Sequence, residues 1–105
     1  MSSNQTQTIG FLGGTGPEGR GLALRLALAG YSVIIGSRGS ARADEAVRRM
    51  EERASVTGVR GVTNDHVADD ADTVFITVPY DAQAALLEPL ADALVGKTVV
   101  CTVAP

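Results

Sequence analysis

The sequence predicts an α/β protein: an open parallel sheet of about five strands with helices on both faces. Three observations carry this. Short apolar, β-branched runs alternate along the chain with longer stretches at helical spacing. The clearest of these runs, "DTVFITVP", is continuously apolar, as in strands covered on both faces. A glycine cluster, "GGTGPEGRG", separates the first apolar run from the first helical stretch. The chain has 105 residues, 45% hydrophobic and 20% charged, which suits one small domain that buries roughly two thirds of its unfolded surface.

Taken in order, Thr8 to Leu12 reads as the first strand. Residues 17–29, "PEGRGLALRLALA", read as a helix with proline where the first turn tolerates it. Gly30 then stands where a helix end favours glycine. "YSVIIGS", 31–37, reads as a buried second strand. Ser40 is expected to cap a second helix running to about Ala54. That helix buries Ala43, Ala46, Val47, Met50 and Ala54, with Asp44–Arg48 and Glu45–Arg49 paired on its wet side. "GVRGVT", 58–63, is a weak third strand, and "NDHVADDA" is a short helix or turn. Residues 72–79 form the fourth strand, and Asp81 is expected to cap a further helix that Pro89 breaks near Glu88. "KTVVCTVAP", 97–105, is the fifth strand, on which Cys101 is expected to be a small buried hydrophobe. The polar start, residues 1–7, reads as a flexible lead-in, and 8–105 as the domain. Ending at strand five suggests that the full domain is truncated.

Composition narrows the function. A formal charge of -3 argues against non-specific binding to nucleic acid or an anionic membrane. No apolar run approaches the roughly 18 residues a transmembrane helix needs. The single cysteine cannot form an internal disulfide, which suits a cytoplasmic location.

The glycines carry the chemistry. Gly14, Gly16 and Gly19 follow a strand and open a helix in the pattern G-x-G-x-x-G. In a Rossmann-type fold, the first glycine permits the tight turn, the second lets a pyrophosphate approach the backbone, and the third lets helix and strand pack closely. N–H groups at the helix start and its positive dipole end then bind phosphate. Gly13, Gly16 and Gly19 also match the glycine spacing of short-chain dehydrogenases; both readings bind a dinucleotide. The short-chain reading lacks its Tyr-x-x-x-Lys proton donor among these residues. A flexible turn is the bland alternative.

The end of strand two indicates which dinucleotide. A carboxylate about 20 residues past the motif would hold the 2′-hydroxyl of NAD. Here the segment is Gly36-Ser37-Arg38-Gly39-Ser40-Ala41-Arg42, with no acid. Ser37 can donate to a 2′-phosphate, and Arg38, with Arg42 one helical turn on, can pair with it. The segment therefore asks for NADP, against the plainer reading of two surface cations. Val78, Pro79 and Tyr80 end strand four, beside the expected cofactor in a parallel sheet; a simple strand exit is the other reading. His66 reads as an exposed loop residue, and Asp69, Asp70 and Asp72 as helix-end solubility and capping rather than a metal site.

"IGFLGGTGPEGRGLALRLALAGYSVIIGSR", residues 9–38, closely resembles the start of the NADPH-dependent deazaflavin reductases, the coenzyme F-420:NADP oxidoreductases. "DTVFITVPY" and "TVVCTVAP" fit the same family, so the resemblance spans almost the whole chain. It implies that Thr15, Gly16, Pro17 and Glu18 bind the pyrophosphate region, and Ser37, Arg38 and Arg42 the 2′-phosphate. It places Val78, Pro79 and Ala104 near the nicotinamide. Many members have Asn-Leu where this chain has Pro17-Glu18, which removes an N–H donor and adds a negative charge near the phosphates. The resemblance implies NADP(H) as cofactor, a deazaflavin coenzyme (F-420) as co-substrate, hydride transfer between them and a homodimer of the full-length protein. No catalytic acid, base or nucleophile is expected, because both reacting rings belong to cofactors. Two alternatives remain at this point: the first domain of another NADP-linked dehydrogenase of imine or β-hydroxyacid type, and a non-catalytic NADP(H)-sensing module.

Overall fold

The computed structural model describes residues 7–53, 56 and 58–102. Five strands alternate with four helices: β1 (Thr8–Leu12), α1 (Pro17–Leu28), β2 (Ser32–Ser37), α2 (Ser40–Arg53), β3 (Val59–Thr63), α3 (Asn64–Asp70), β4 (Thr73–Ile76), α4 (Tyr80–Leu87) and β5 (Thr98–Cys101), with a 3-10 turn at Glu88–Leu90 before β5. The strands form one sheet in the order β3-β2-β1-β4-β5, every neighbouring pair parallel. The chain thus steps outward from β1 to β3, then crosses back to lay β4 on the other side of β1. That reversal opens a crevice at the carboxyl ends of β1 and β4.

Side-chain alternation builds two cores, one on each face. Ile9 and Phe11 of β1 with Val33 and Ile35 of β2 meet Ala23 and Ala27 of α1 and Met50 of α2. Leu12, Ile34, Val74 and Ile76 meet Val67 and Ala71 on the opposite face, with Leu86, Leu87 and Leu90 packed around them. The continuous apolar runs of β1 and β2 are explained by this double cover. Phe11 and Phe75 stack with ring centroids 5.1 Å apart, tying β1 to β4. Gly30, at φ +101°, ends α1 in the left-handed conformation.

The architecture predicted from sequence is the one observed, and several local details differ. Ser40 does not cap α2: it is the first helical residue, and the Gly39 carbonyl accepts the Ala43 N–H at 3.3 Å. Asp81 likewise lies inside the first turn of α4, which Pro79 precedes. Arg48 pairs with Glu45 at 2.9 Å rather than with Asp44, so one carboxylate serves both Arg48 and Arg49. Strand β4 is shorter than 72–79, because Thr77 to Pro79 turn out of the sheet towards the crevice. Cys101 is exposed rather than buried: β5 is an edge strand with little covering it, and Gln83 Nε2 lies 3.4 Å from its Sγ. Asp72 does not cap a helix: its carboxylate accepts the Thr8 N–H at 2.9 Å, at the start of β1; His66 is exposed. The expected lead-in, the helical position of Ala54 and the strand end at 103–105 lie outside the described residues, apart from Gln7. Among the described residues, no helix is long and apolar enough to cross a membrane.

Candidate dinucleotide-binding site

The loop from Gly13 to Gly16 leaves β1 at the crevice, and its four positions divide the work. Gly13 makes the turn at φ +64°, where a side chain would also run into Val78. The motif alone assigns the turn to Gly14; the structure gives it to Gly13. Gly14 is glycine for close packing, since a Cβ there would stand 2.6 Å from Phe11 Cβ. Gly19 packs α1 against the loop, and a Cβ on it would stand 2.9 Å from Gly14 Cα and from Thr77 Oγ1. Nothing lies within 4 Å of the equivalent point on Gly16. No atom of the described residues requires glycine there, and among them the space above it is open to a ligand.

Hydrogen bonding sorts the same loop into an anchored half and a presented half. The Gly13 N–H donates to Asn64 Oδ1 at 3.1 Å, and the Gly14 N–H to the Gly36 carbonyl at 3.0 Å. The N–H groups of Thr15 and Gly16 have no acceptor among the described residues. The first helical bond runs from Arg20 N–H to the Gly16 carbonyl at 3.0 Å, leaving the N–H groups of Glu18 and Gly19 as the usual orphan donors of a helix start. Pro17 supplies none. Backbone donors unengaged among the described residues therefore cluster along the chain around Gly16, at the start of α1, where the helix dipole adds positive potential.

The second wall comes from the end of β2. Ser37 is buried, and its Oγ accepts the Gly39 N–H at 3.4 Å, which shapes the turn into α2. Arg38 and Arg42 are exposed and make no ion pair with a described residue. On α2, Glu45 is engaged by Arg48 and Arg49. Thr15, Ser37, Arg38, Arg42, Val78 and Pro79 all line one cleft of ≈ 690 Å³. Its far side is apolar, from Ala82, Ala85 and Leu86 of α4. That combination suits a flat heteroaromatic ring with an anion at one end.

Of the other predicted residues, Gly14, Gly16, Glu18 and Gly19 do not line this cleft; they belong, with Pro17, to the loop and helix start beside it. The Glu18 carboxylate turns away to accept the Thr102 hydroxyl at 2.7 Å, beyond the end of β5. Its charge is thereby held off the cleft, on the side of the crevice nearer β5. Ala104 lies outside the described residues. Asn64 and Asp65 also line the cleft and were not among the expected residues. Asp65 has its carboxyl pKa lowered chiefly by a hydrogen bond from the Thr63 side chain; Thr63 Oγ1 also lies 2.8 Å from His66 Nδ1. No sequence pattern marked Asn64, whose contact with Gly13 spans 51 positions. Among the described residues, no group of three His, Cys, Asp or Glu side chains could hold a metal ion.

A sheet in this strand order, with a glycine loop feeding unengaged N–H groups and a helix start into its crevice, defines a Rossmann-type dinucleotide-binding domain. Comparison with known proteins gives the family. A sequence model described as "NADP oxidoreductase coenzyme F420-dependent" matches residues 8–105, and the chain belongs to that family. An F420-dependent NADP reductase of Methanothermobacter marburgensis is 44% identical over 99 residues, covering 92% of this chain and 44% of its own length. The F420-dependent NADP reductase of Methanocaldococcus jannaschii is 38% identical, with 88% of this chain and 43% of its own length covered. Among solved structures, an Arthrobacter sp. FB24 protein assigned as an F420-dependent NADP-reductase superposes with a TM-score of 0.76 at 27% identity, covering 92% of this chain and 45% of its own. A diketoreductase superposes equally well, TM-score 0.76, over 98% of this chain and 43% of its own, at 19% identity, a likeness of fold. The chain thus spans less than half the length of the relatives it matches.

Proposed function

We propose that residues 8–105 form the NADP(H)-binding domain of an oxidoreductase that transfers hydride between NADP(H) and a deazaflavin coenzyme, F-420, with residues 1–7 a lead-in outside the domain. The observation that carries the reading is the pair Arg38 and Arg42, without an ion pair among the described residues and on the same cleft as Thr15 and Ser37. An NAD site would carry a carboxylate at the end of β2; two guanidinium groups and a serine suit a 2′-phosphate instead. The residues fit the cofactor on geometry as well, since, among the described residues, the N–H groups of Thr15 and Gly16 lack an acceptor and the space over Gly16 is clear. The relatives' names supply the second substrate.

In this reading the N–H groups of Thr15, Gly16, Glu18 and Gly19 hold the pyrophosphate. Arg38, Arg42 and the Ser37 hydroxyl hold the 2′-phosphate, with the adenine against the apolar wall of α4. Bound NADPH supplies the hydride. The chain's part is to fix that ring's position at the carboxyl ends of β4 and β5, Ala104 included, and to keep water away. Hydride passes directly between two carbon centres, so no side chain is assigned as acid or base; the proton that completes reduction of the deazaflavin ring comes from solvent. We place the intact protein in the cytoplasm as a homodimer, its partners being small-molecule cofactors. The test is spectroscopic: the intact protein, given NADPH, should bleach the deazaflavin chromophore. NADPH binding without bleaching would leave a nucleotide-binding module and refute the oxidoreductase.

A further inference from the structure

The phosphate loop is tied to a residue that the glycine motif does not contain. Asn64 opens α3, directly after Thr63, which stands beside Ser37 in the β2–β3 register. Its Oδ1 takes the Gly13 N–H at 3.1 Å. It is also seated tightly on the sheet, for a Cβ on Gly36 would lie 2.5 Å from that oxygen. Gly36, in turn, is the residue whose carbonyl takes the Gly14 N–H. Asn64 and Gly36 together therefore consume the first two N–H groups of the loop and leave the next two, on Thr15 and Gly16, pointing elsewhere. A glycine at φ +64° has many other conformations open to it, so a fixed presentation of those donors needs an anchor from outside the loop.

We infer that Asn64 is a positioning residue for the phosphate loop: its amide oxygen locks the Gly13 turn so that the Thr15 and Gly16 N–H groups face a bound pyrophosphate. The inference rests on the dinucleotide reading above and adds a residue to it. Asn64 acts on the pyrophosphate end of the ligand, whereas Arg38 acts on the 2′-phosphate. The two roles separate with two probes. NADPH has both features; adenosine 2′-monophosphate has the phosphate that the arginines read and no pyrophosphate.

The experiment combines amide hydrogen exchange at Gly13 with titrations of both probes by nuclear magnetic resonance. In the unaltered chain the Gly13 amide should exchange slowly. In Asn64→Ala it should exchange fast, NADPH should bind about tenfold more weakly, as expected for one lost hydrogen bond, and adenosine 2′-monophosphate should bind as before. Asn64→Asp keeps the acceptor and should restore slow exchange at Gly13. That variant decides the matter if Asn64→Ala does not fold: fast exchange in Asn64→Asp overturns the tether. Unchanged Gly13 exchange in Asn64→Ala, unchanged NADPH affinity, or equal weakening of both probes each overturns the inference. Failure of the unaltered chain to bind either probe refutes the dinucleotide reading itself, and the positioning role with it.

Discussion

Gly14 and Gly16 are two residues apart and are glycine for opposite reasons. A methyl group on Gly14 would press on Phe11, inside the first core; one on Gly16 would touch no atom of the described residues. Gly14→Ala should therefore destabilise the fold by about 1–3 kcal/mol, the usual cost of overpacking. Gly16→Ala should change stability by less than about 0.5 kcal/mol while weakening NADPH binding. Urea unfolding of the two variants checks the first statement, and NADPH titration the second. A stability loss of similar size in both would mean that Gly16 serves the fold. The spacing marked Gly14 and Gly16 but gave Gly14 the turn rather than the packing role, and it marked Ser37, Arg38 and Arg42, which line one cleft with Thr15. The φ +64° turn at Gly13 was not legible, since two adjacent glycines cannot be ranked without the coordinates. Asn64 was invisible for a different reason. An asparagine in the polar stretch "NDH" looks like any turn residue until the crossover brings α3 under the loop.

At the scale of elements, α3 is the least obvious and the most consequential. Its seven residues looked like a turn or a short helix, yet Val67 is fully buried and Asn64 braces the loop. Val67→Ala should cost about 2–3 kcal/mol, the transfer term of the lost methyl groups plus the cavity left between α3 and the sheet. It should also loosen the Gly13 turn, visible as faster amide exchange there. Unfolding at the original urea midpoint would show that α3 is not packed as described. Strand β5 was misread in one respect. Its apolar letters, Thr98 to Cys101, suggested a buried strand, but β5 pairs with β4 alone among the described strands, and Val99 is 43% exposed. Apolar composition reports what a strand can pack against, and an edge position leaves that capacity unused. The isolated 105-residue chain should accordingly self-associate through this edge, and Val99→Lys should reduce the association. Sedimentation velocity that shows only monomer at all concentrations would contradict it.

Across the whole molecule, a chain of formal charge -3 gathers two arginines, free of ion pairs among the described residues, where an anionic cofactor would lie. Glu18, the acid that interrupts the phosphate region in the sequence, is turned to Thr102 and out of that cleft. The parallel topology is what makes this possible. It collects the ends of β1, β2 and β4, far apart along the chain, at one edge of the sheet. The parallel sheet, with helices on both faces, followed from the alternation of elements and the glycine motif; the order of its strands came from the structure. What sequence reading missed, Asn64, the Glu18–Thr102 bond and the exposure of Cys101, all depends on which strands become neighbours or edges. On the proposed function, Arg38 is the residue that makes this domain prefer NADP(H). Calorimetric titration of the chain with NADPH and NADH, repeated on Arg38→Ala, tests it most directly. NADPH should bind about 10–100-fold more tightly than NADH, the worth of a charge-assisted pair, and Arg38→Ala should remove most of that preference. Equal affinity for the two nucleotides, or a preference that survives Arg38→Ala, would contradict it.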